Sequence, residues 1–200
     1  MAPARRPRLL GRMRLSERSG AALLAAECSE PGGLPGFATW TKRCFGGQAG
    51  GAARQKMKVD IVTIFPGMVK APLAEGVVGR AIGRGVIDVA VHDLRDFTTD
   101  RHRVVDDMPF GGGPGMVMKP EPFFAAVEAL KPSGPIVLLS PRGRRFTQDD
   151  ARRYAAGAEL TLLCGHYKDV DQRVADHLAT EEISIGDFVV SGGEIPAMLL

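Results

Sequence analysis

Hydrophobic and polar positions follow two regimes along the chain, and the change falls at Met57. Downstream of it, short runs that are apolar throughout alternate with longer stretches of mixed polarity. Val59–Phe65 (VDIVTIF) is β-branched and apolar and stops at Pro66-Gly67, which predicts a buried strand. Residues 68–84 carry helix-compatible stretches, broken at Pro72 and ended by Gly83 and Gly85. Val86–Val91 predicts a second strand, and residues 93–118 a long polar, glycine-rich connection. A helix is expected over Phe123–Leu130, after Pro120 and Pro122, then a third strand over Pro135–Ser140. Thr147-Gln148-Asp149-Asp150 has the form of a capping box and opens a helix through Tyr154. Leu160–Cys164 predicts a fourth strand, Val170–Leu178 a helix, Glu182–Ile185 a short strand and Glu194–Leu200 another helix. Strands apolar at every position have no face for water. Alternating with helices, they imply an α/β protein with a mostly parallel sheet flanked by helices on both faces.

Upstream the periodicity is lost. Residues 1–56 hold ten basic and three acidic residues, a balance of +7, whereas residues 57–200 carry −4. Nine of those 56 residues are glycine. The segment is read as a disordered basic extension. Three roles stay open for it: an organelle transit peptide, a basic arm for RNA phosphates, or a non-functional extension ahead of a start at Met57. The last is preferred, because strand-like sequence begins directly after that methionine. Apolar residues make up 44% of the 200 and charged residues 24%, ordinary for a folded globular chain. No run approaches the ~18 apolar residues of a membrane span, so no membrane partner is expected. Three scattered cysteines, Cys28, Cys44 and Cys164, suggest neither a disulfide scaffold nor a zinc cluster, and fit a reducing, cytoplasmic setting.

Candidate chemistry gathers at the predicted strand ends, where open α/β sheets bind ligands. The third strand runs into Ser140-Pro141-Arg142-Gly143-Arg144. The fourth runs into Gly165-His166-Tyr167-Lys168-Asp169, and the fifth into Gly186-Asp187-Phe188-Val189-Val190-Ser191-Gly192-Gly193-Glu194. Glycines there permit positive φ and close approach, so main-chain amides and carbonyls are available to read a heteroaromatic ring. Neither G-x-G-x-x-G nor G-x-x-x-x-G-K-[ST] follows a predicted strand, which disfavours dinucleotide and P-loop chemistry. His166 is a conceivable general base, Tyr167 a stacking or packing residue, and Cys164 a small buried apolar group. His92 and His177 read as ordinary surface or helix residues. The segment Asp100–Asp107 is dense in ionisable groups. A solvated, salt-bridged loop, an RNA-facing loop and a metal site built on His102, Asp106 and Asp107 all remain open for it.

Several longer motifs then agree at once. Phe65-Pro66, Arg95-Asp96-Phe97-Thr98, Asp100-Arg101-His102-Arg103, Val105-Asp106-Asp107, Pro109 to Met116 (PFGGGPGM), Leu139 to Arg144 (LSPRGR) and Ser184 to Met198 (SIGDFVVSGGEIPAM) occur in order between Met57 and Leu200. Together they resemble the bacterial tRNA (guanine-N1)-methyltransferase family of the SPOUT class. That resemblance implies a trefoil knot in the C-terminal part of residues 57–200, S-adenosyl-L-methionine as cofactor, and a homodimer acting on tRNA at guanosine 37. It implies cofactor binding by Leu139, Ser140 and Pro141, by Gly165 and Tyr167, and by Ile185, Gly186, Asp187, Phe188, Val189 and Val190 together with Gly192 and Gly193. Arg101, His102, Asp106 and Asp107 would meet the target nucleotide, and no metal is implied. The family's catalytic Asp and its assisting Arg follow the Pro196-Ala197-Met198 helix, as does its tRNA-gripping C-terminal domain. No catalytic residue is therefore assigned here, and a truncated chain of doubtful activity is expected. Many relatives carry Arg and Glu where this chain has His166 and Lys168. Two alternatives stand beside methyl transfer: a catalytically silent, dimeric S-adenosylmethionine-binding module, and a metal-dependent phosphoester hydrolase using Asp106 and Asp107.

Overall fold

A computed structural model of the chain describes residues 56–200. The extension expected over 1–56 lies, Lys56 apart, outside the described residues. The first apolar run forms β1 (Met57–Thr63), followed by α1 (Pro66–Leu73), α2 (Gly76–Gly83) and β2 (Ile87–Asp93). The break expected at Pro72 falls after it: Pro72 lies inside α1, and Ala74 caps the helix. The connection over 93–118 is more ordered than its composition suggests. It holds a 3-10 turn at Leu94–Phe97, capped by the Asp93 carboxylate on the Arg95 amide (2.9 Å), and two short strands, β3 (Asp106–Asp107) and β4 (Val117–Met118). Helix α3 (Pro120–Leu130) begins three residues before Phe123, since proline is well suited to a first helical turn. Then come β5 (Ile136–Arg145), α4 (Gln148–Ala155), β6 (Glu159–Cys164), β7 (Asp169–Val170), α5 (Gln172–His177), β8 (Glu181–Ser184) and α6 (Glu194–Leu199). The capping box of α4 is present on Thr147 and Asp150.

The main sheet has the order β2-β1-β6-β5-β8, with every neighbouring pair parallel. A second, three-stranded sheet has the order β3-β4-β7. Side chains alternate strictly between two cores. Val62, Leu138 and Leu163 point to one, with Phe123 of α3 and Val174 of α5. Ile61, Leu139, Leu162 and Cys164 point to the other, with Val69 of α1, Tyr154 of α4 and Ala197 of α6. Each such burial contributes ~1.5–3 kcal/mol, so both faces of each central strand reward apolar residues. That is why the sequence shows continuous apolar runs instead of alternation.

Strand β5 continues past the expected end at Ser140. After an irregularity between Leu139 and Arg144, Arg144 and Arg145 pair again with Ile183 and Ser184. His92 is neither a helix residue nor a plain surface one: it lies on β2 with Nε2 2.8 Å from the buried Asp60 carboxylate. Lys58 reaches Asp60 (2.7 Å) and also Glu159 at the start of β6 (3.1 Å). Glu159 accepts from the Ser133 amide (2.7 Å) and hydroxyl (2.5 Å) as well, so one carboxylate ties β1, β6 and the turn before β5. These donors, Ser133 first and then Lys58, hold Glu159 down at about 2. A lowered folded pKa adds stability above the ordinary carboxylate range and loses it as pH falls through about 2. In urea melts, Glu159→Gln is expected to be less stable than the parent at neutral pH, with the gap closing towards pH 2. A gap that does not change with pH would mean that Glu159 acts through packing alone.

Candidate functional site

At one rim of the main sheet the irregular stretch of β5 after Leu139 and the segments leaving β6 and β8 enclose a cleft. Leu139, Ser140 and Pro141 form the first wall. Gly165, His166, Tyr167 and Lys168 form the second, and Ile185, Phe188, Val189, Val190, Gly192 and Gly193 the third. Gly186 and Asp187 do not line it. Gly186 turns behind Phe188, and a Cβ there would stand 2.5 Å from the Phe188 ring.

The second and third walls are fastened to each other. The Gly193 amide donates to the Gly165 carbonyl (2.7 Å), and His166 and Gly192 form an antiparallel bridge. A Cβ on Gly193 would lie 2.7 Å from Cα of Cys164, inside main chain that has nowhere to go. Close approach, not positive φ, is thus what requires glycine here: Gly193 sits at φ −73°. The positive-φ glycines lie elsewhere, at Gly76, Gly85, Gly111, Gly112, Gly113 and Gly115. Within the cleft it is Tyr167 that adopts the left-handed conformation (φ 61°), an uncommon state for a bulky residue. Among the described residues, the amides of Phe188, Val189 and Val190 have no main-chain partner, and Val189 is 78% exposed. These are the free polar groups that a flat heterocycle needs.

Behind the second wall lies a buried polar cluster. Glu194, 1% exposed, accepts from the Thr63 hydroxyl (2.6 Å) with one carboxylate oxygen. The other stands 3.5 Å from Nδ1 of His166, which has no hydrogen-bond partner. Thr63 in turn accepts from the Phe65 amide (3.0 Å), and the His166 ring meets Phe65 edge-on at 4.9 Å. Burial, reinforced by the Glu194 charge, pushes the adjacent Cys164 thiol up, in keeping with an inert packing residue. Thr63 and Glu194 had no role in the sequence reading. The available signal was a lone acid opening the otherwise apolar Ile195–Leu200 stretch.

The residues expected to meet a nucleotide are not gathered at one point. Arg101 and His102 occupy an exposed turn, where the His102 amide donates to Asp100 (3.2 Å). Asp107, with Lys119 at 3.7 Å, lines a second, wider groove that also takes in Phe110, Arg142 and Arg173. The groove meets the cleft at Asp169 and Val170, where Arg142 pairs with Asp169 (3.0 Å). Asp106 and Asp107 are consecutive on a strand, so their side chains face opposite ways. Among the described residues no three His, Cys, Asp or Glu side chains converge as metal ligands, and no helix is long and apolar enough to cross a membrane.

The chain is thus a parallel α/β protein with one cleft at the sheet rim, the place where open α/β sheets bind ligands. Residues 57–200 match the family model described as tRNA (Guanine-1)-methyltransferase TrmD, and the chain belongs to that family, which is of the SPOUT class. It is 52% identical over 147 residues to a tRNA (guanine-N(1)-)-methyltransferase of Geobacter sulfurreducens, covering 72% of this chain and 60% of that protein. The likeness to a protein of the same name from Gloeobacter violaceus is 55% over 147 residues, or 72% and 65% of the two chains. For one from Dehalococcoides mccartyi it is 49% over 148 residues, or 72% and 60%. The chain thus spans about three-fifths of the length of the curated relatives it matches.

Replacing the Thr63 hydroxyl by a methyl group leaves the buried Glu194 carboxyl without its one short donor. Thr63→Val, which keeps the shape, is expected to cost ~1–3 kcal/mol in urea unfolding. An unchanged midpoint would show that Glu194 finds its partner elsewhere.

Proposed function

We propose that residues 57–200 are the donor-binding, SPOUT methyltransferase domain of a cytoplasmic, homodimeric tRNA (guanine-N1)-methyltransferase. The enzyme moves the methyl group of S-adenosyl-L-methionine to N1 of guanosine 37 in tRNA. One observation carries this: the three strand-end segments singled out in the sequence enclose a single cleft with free main-chain amides. Its apolar walls at Leu139 and Val189 and the close main-chain contact at Gly193 fit an adenosine moiety.

When bound, S-adenosylmethionine supplies a methyl group already activated as a sulfonium. This chain's residues then have to hold and orient. The amides of Phe188, Val189 and Val190 serve the adenine edge. Leu139 and Pro141 flank the ring, and Tyr167 closes the opposite side. Phe65 and Tyr167 pack edge-on against the His166 ring, with the Glu194 carboxylate behind it. Gly186 and Asp187 act from behind Phe188 as turn residues. The Gly192–Gly193 segment returns to bond the loop after β6, which supports the threading that the SPOUT class implies.

Guanine N1 bears a proton at neutral pH, so transfer requires a base. Asp169 is the one carboxylate lining the cleft, and Arg142 holds it. The base is accordingly sought outside this cleft, in the sequence that follows the Pro196-Ala197-Met198 helix in the family. Asp107 and the cations of the wider groove, and separately Arg101 and His102 on their exposed turn, are assigned to the tRNA strand. Phosphate contacts of this kind make binding fall steeply with salt.

Isothermal calorimetry of the 200-residue chain with S-adenosylmethionine tests this. One molecule per chain is expected to bind. Gly193→Val, whose side chain would intrude on Cα of Cys164, is expected to abolish uptake. A folded chain that binds no S-adenosylmethionine would end the proposal.

A further inference from the structure

The cleft wall carries two fully charged side chains, Lys168 and Asp169. Asp169 is compensated by Arg142 at 3.0 Å, and Arg142 also approaches Glu182 at 3.9 Å. Lys168 is not compensated: among the described residues no carboxylate lies within 4.0 Å of its ammonium. Its course is nevertheless set by the structure. The Lys168 amide donates to the Met116 carbonyl (3.0 Å), fixing where the side chain departs. The stem then runs along bare main chain. A Cβ on Gly115 would meet Lys168 Cβ at 3.4 Å and Cδ at 3.6 Å, and one on Gly113 would meet the ammonium nitrogen at 4.0 Å. Both glycines have strongly positive φ (89° and 103°), a conformation that keeps this strip free of side chains. The aliphatic stem packs on this main chain while Lys168 stays exposed beside the cleft it lines.

We propose that Lys168 is the anion contact of this cleft and pairs with the carboxylate of the amino-acid tail of the bound methyl donor. The proposal rests on the donor-binding function given above. The chemistry is matched in number: the donor has one anionic group, and the cleft has one uncompensated cation. Adenine and ribose carry no negative charge, so neither competes for it. The neighbouring Arg142–Asp169 pair leaves the rim otherwise neutral. The role is specific to this chain, because a Glu at position 168 would repel the same carboxylate.

Two ligands isolate the tail. S-adenosylhomocysteine and 5′-methylthioadenosine are both uncharged at sulfur and share the adenosine, but only the first has the zwitterionic amino-acid portion. Calorimetry of the 200-residue chain with each is expected to show Lys168→Met weakening S-adenosylhomocysteine by about three- to tenfold while 5′-methylthioadenosine is unaffected. Lys168→Arg is expected to retain most of the affinity and Lys168→Glu to lose more than the Met variant. Affinity of the parent for S-adenosylhomocysteine is expected to fall as salt rises from about 0.05 to about 0.5 M, with that dependence flattened in Lys168→Met. Melting temperatures of all variants are expected to match the parent, since Lys168 is exposed. Equal losses for both ligands, or none for either, would overturn the proposal. So would a Lys168→Met variant that binds S-adenosylhomocysteine normally but an anticodon stem-loop RNA weakly, which would assign the ammonium to phosphate. A parent chain that binds neither adenosine ligand would instead bring down the donor-binding function itself.

Discussion

Ile61 and Val62, Val137 and Leu138, and Leu162 and Leu163 point in turn to two separate cores, and this double burial governs the rest of the molecule. A parallel sheet covered on both faces has no open face to offer a ligand. Only the rim is left, where β5 becomes irregular after Leu139 and where β6 and β8 end in glycine-bearing segments. The cleft therefore follows from the burial. The helices that protect the strands also force chemistry to the rim.

Close main-chain contact then does what side chains do in other sites. Gly193 packs on Cys164 and Gly165 at distances that admit no Cβ, drawing the third wall onto the second. Fastening those walls leaves the amides between Phe188 and Val190 without partners, so fold stability and ligand recognition divide one loop between them. The Thr63–Glu194–His166 cluster supports the arrangement from behind, joining the end of β1 to the start of α6. Cys164, enclosed by the same packing, is chemically quiet, and a carboxylate within the cleft is already held by Arg142.

Legibility in the sequence followed the physics. β1 and β6 were plain because both faces of each are buried. The extension of β5 was hidden, because Pro141-Arg142-Gly143-Arg144 reads as a turn until β8 is seen alongside. The short strands β3, β4 and β7 are two residues each, below any periodic signal. The three glycine-bearing segments line one cleft, Gly186 and Asp187 apart, and of the two reasons for glycine there, positive φ and close approach, only close approach applies. Composition marks where glycine stands, whereas the reason depends on what faces it across the cleft. The Thr63–Glu194 bond joins residues 131 positions apart, and no local pattern encodes such a pair. Family motifs imply a methyl donor, which spacing alone leaves open.

Hydrogen–deuterium exchange of the 200-residue chain with and without S-adenosylmethionine tests the central claim most directly. Ligand-induced protection is expected in segments 139–145, 165–168 and 185–193, with amides 188–190 changing most, while α2 and α3 stay as they were. Protection that bypasses these three segments, or that appears in only one of them, would contradict a cleft closed by all three.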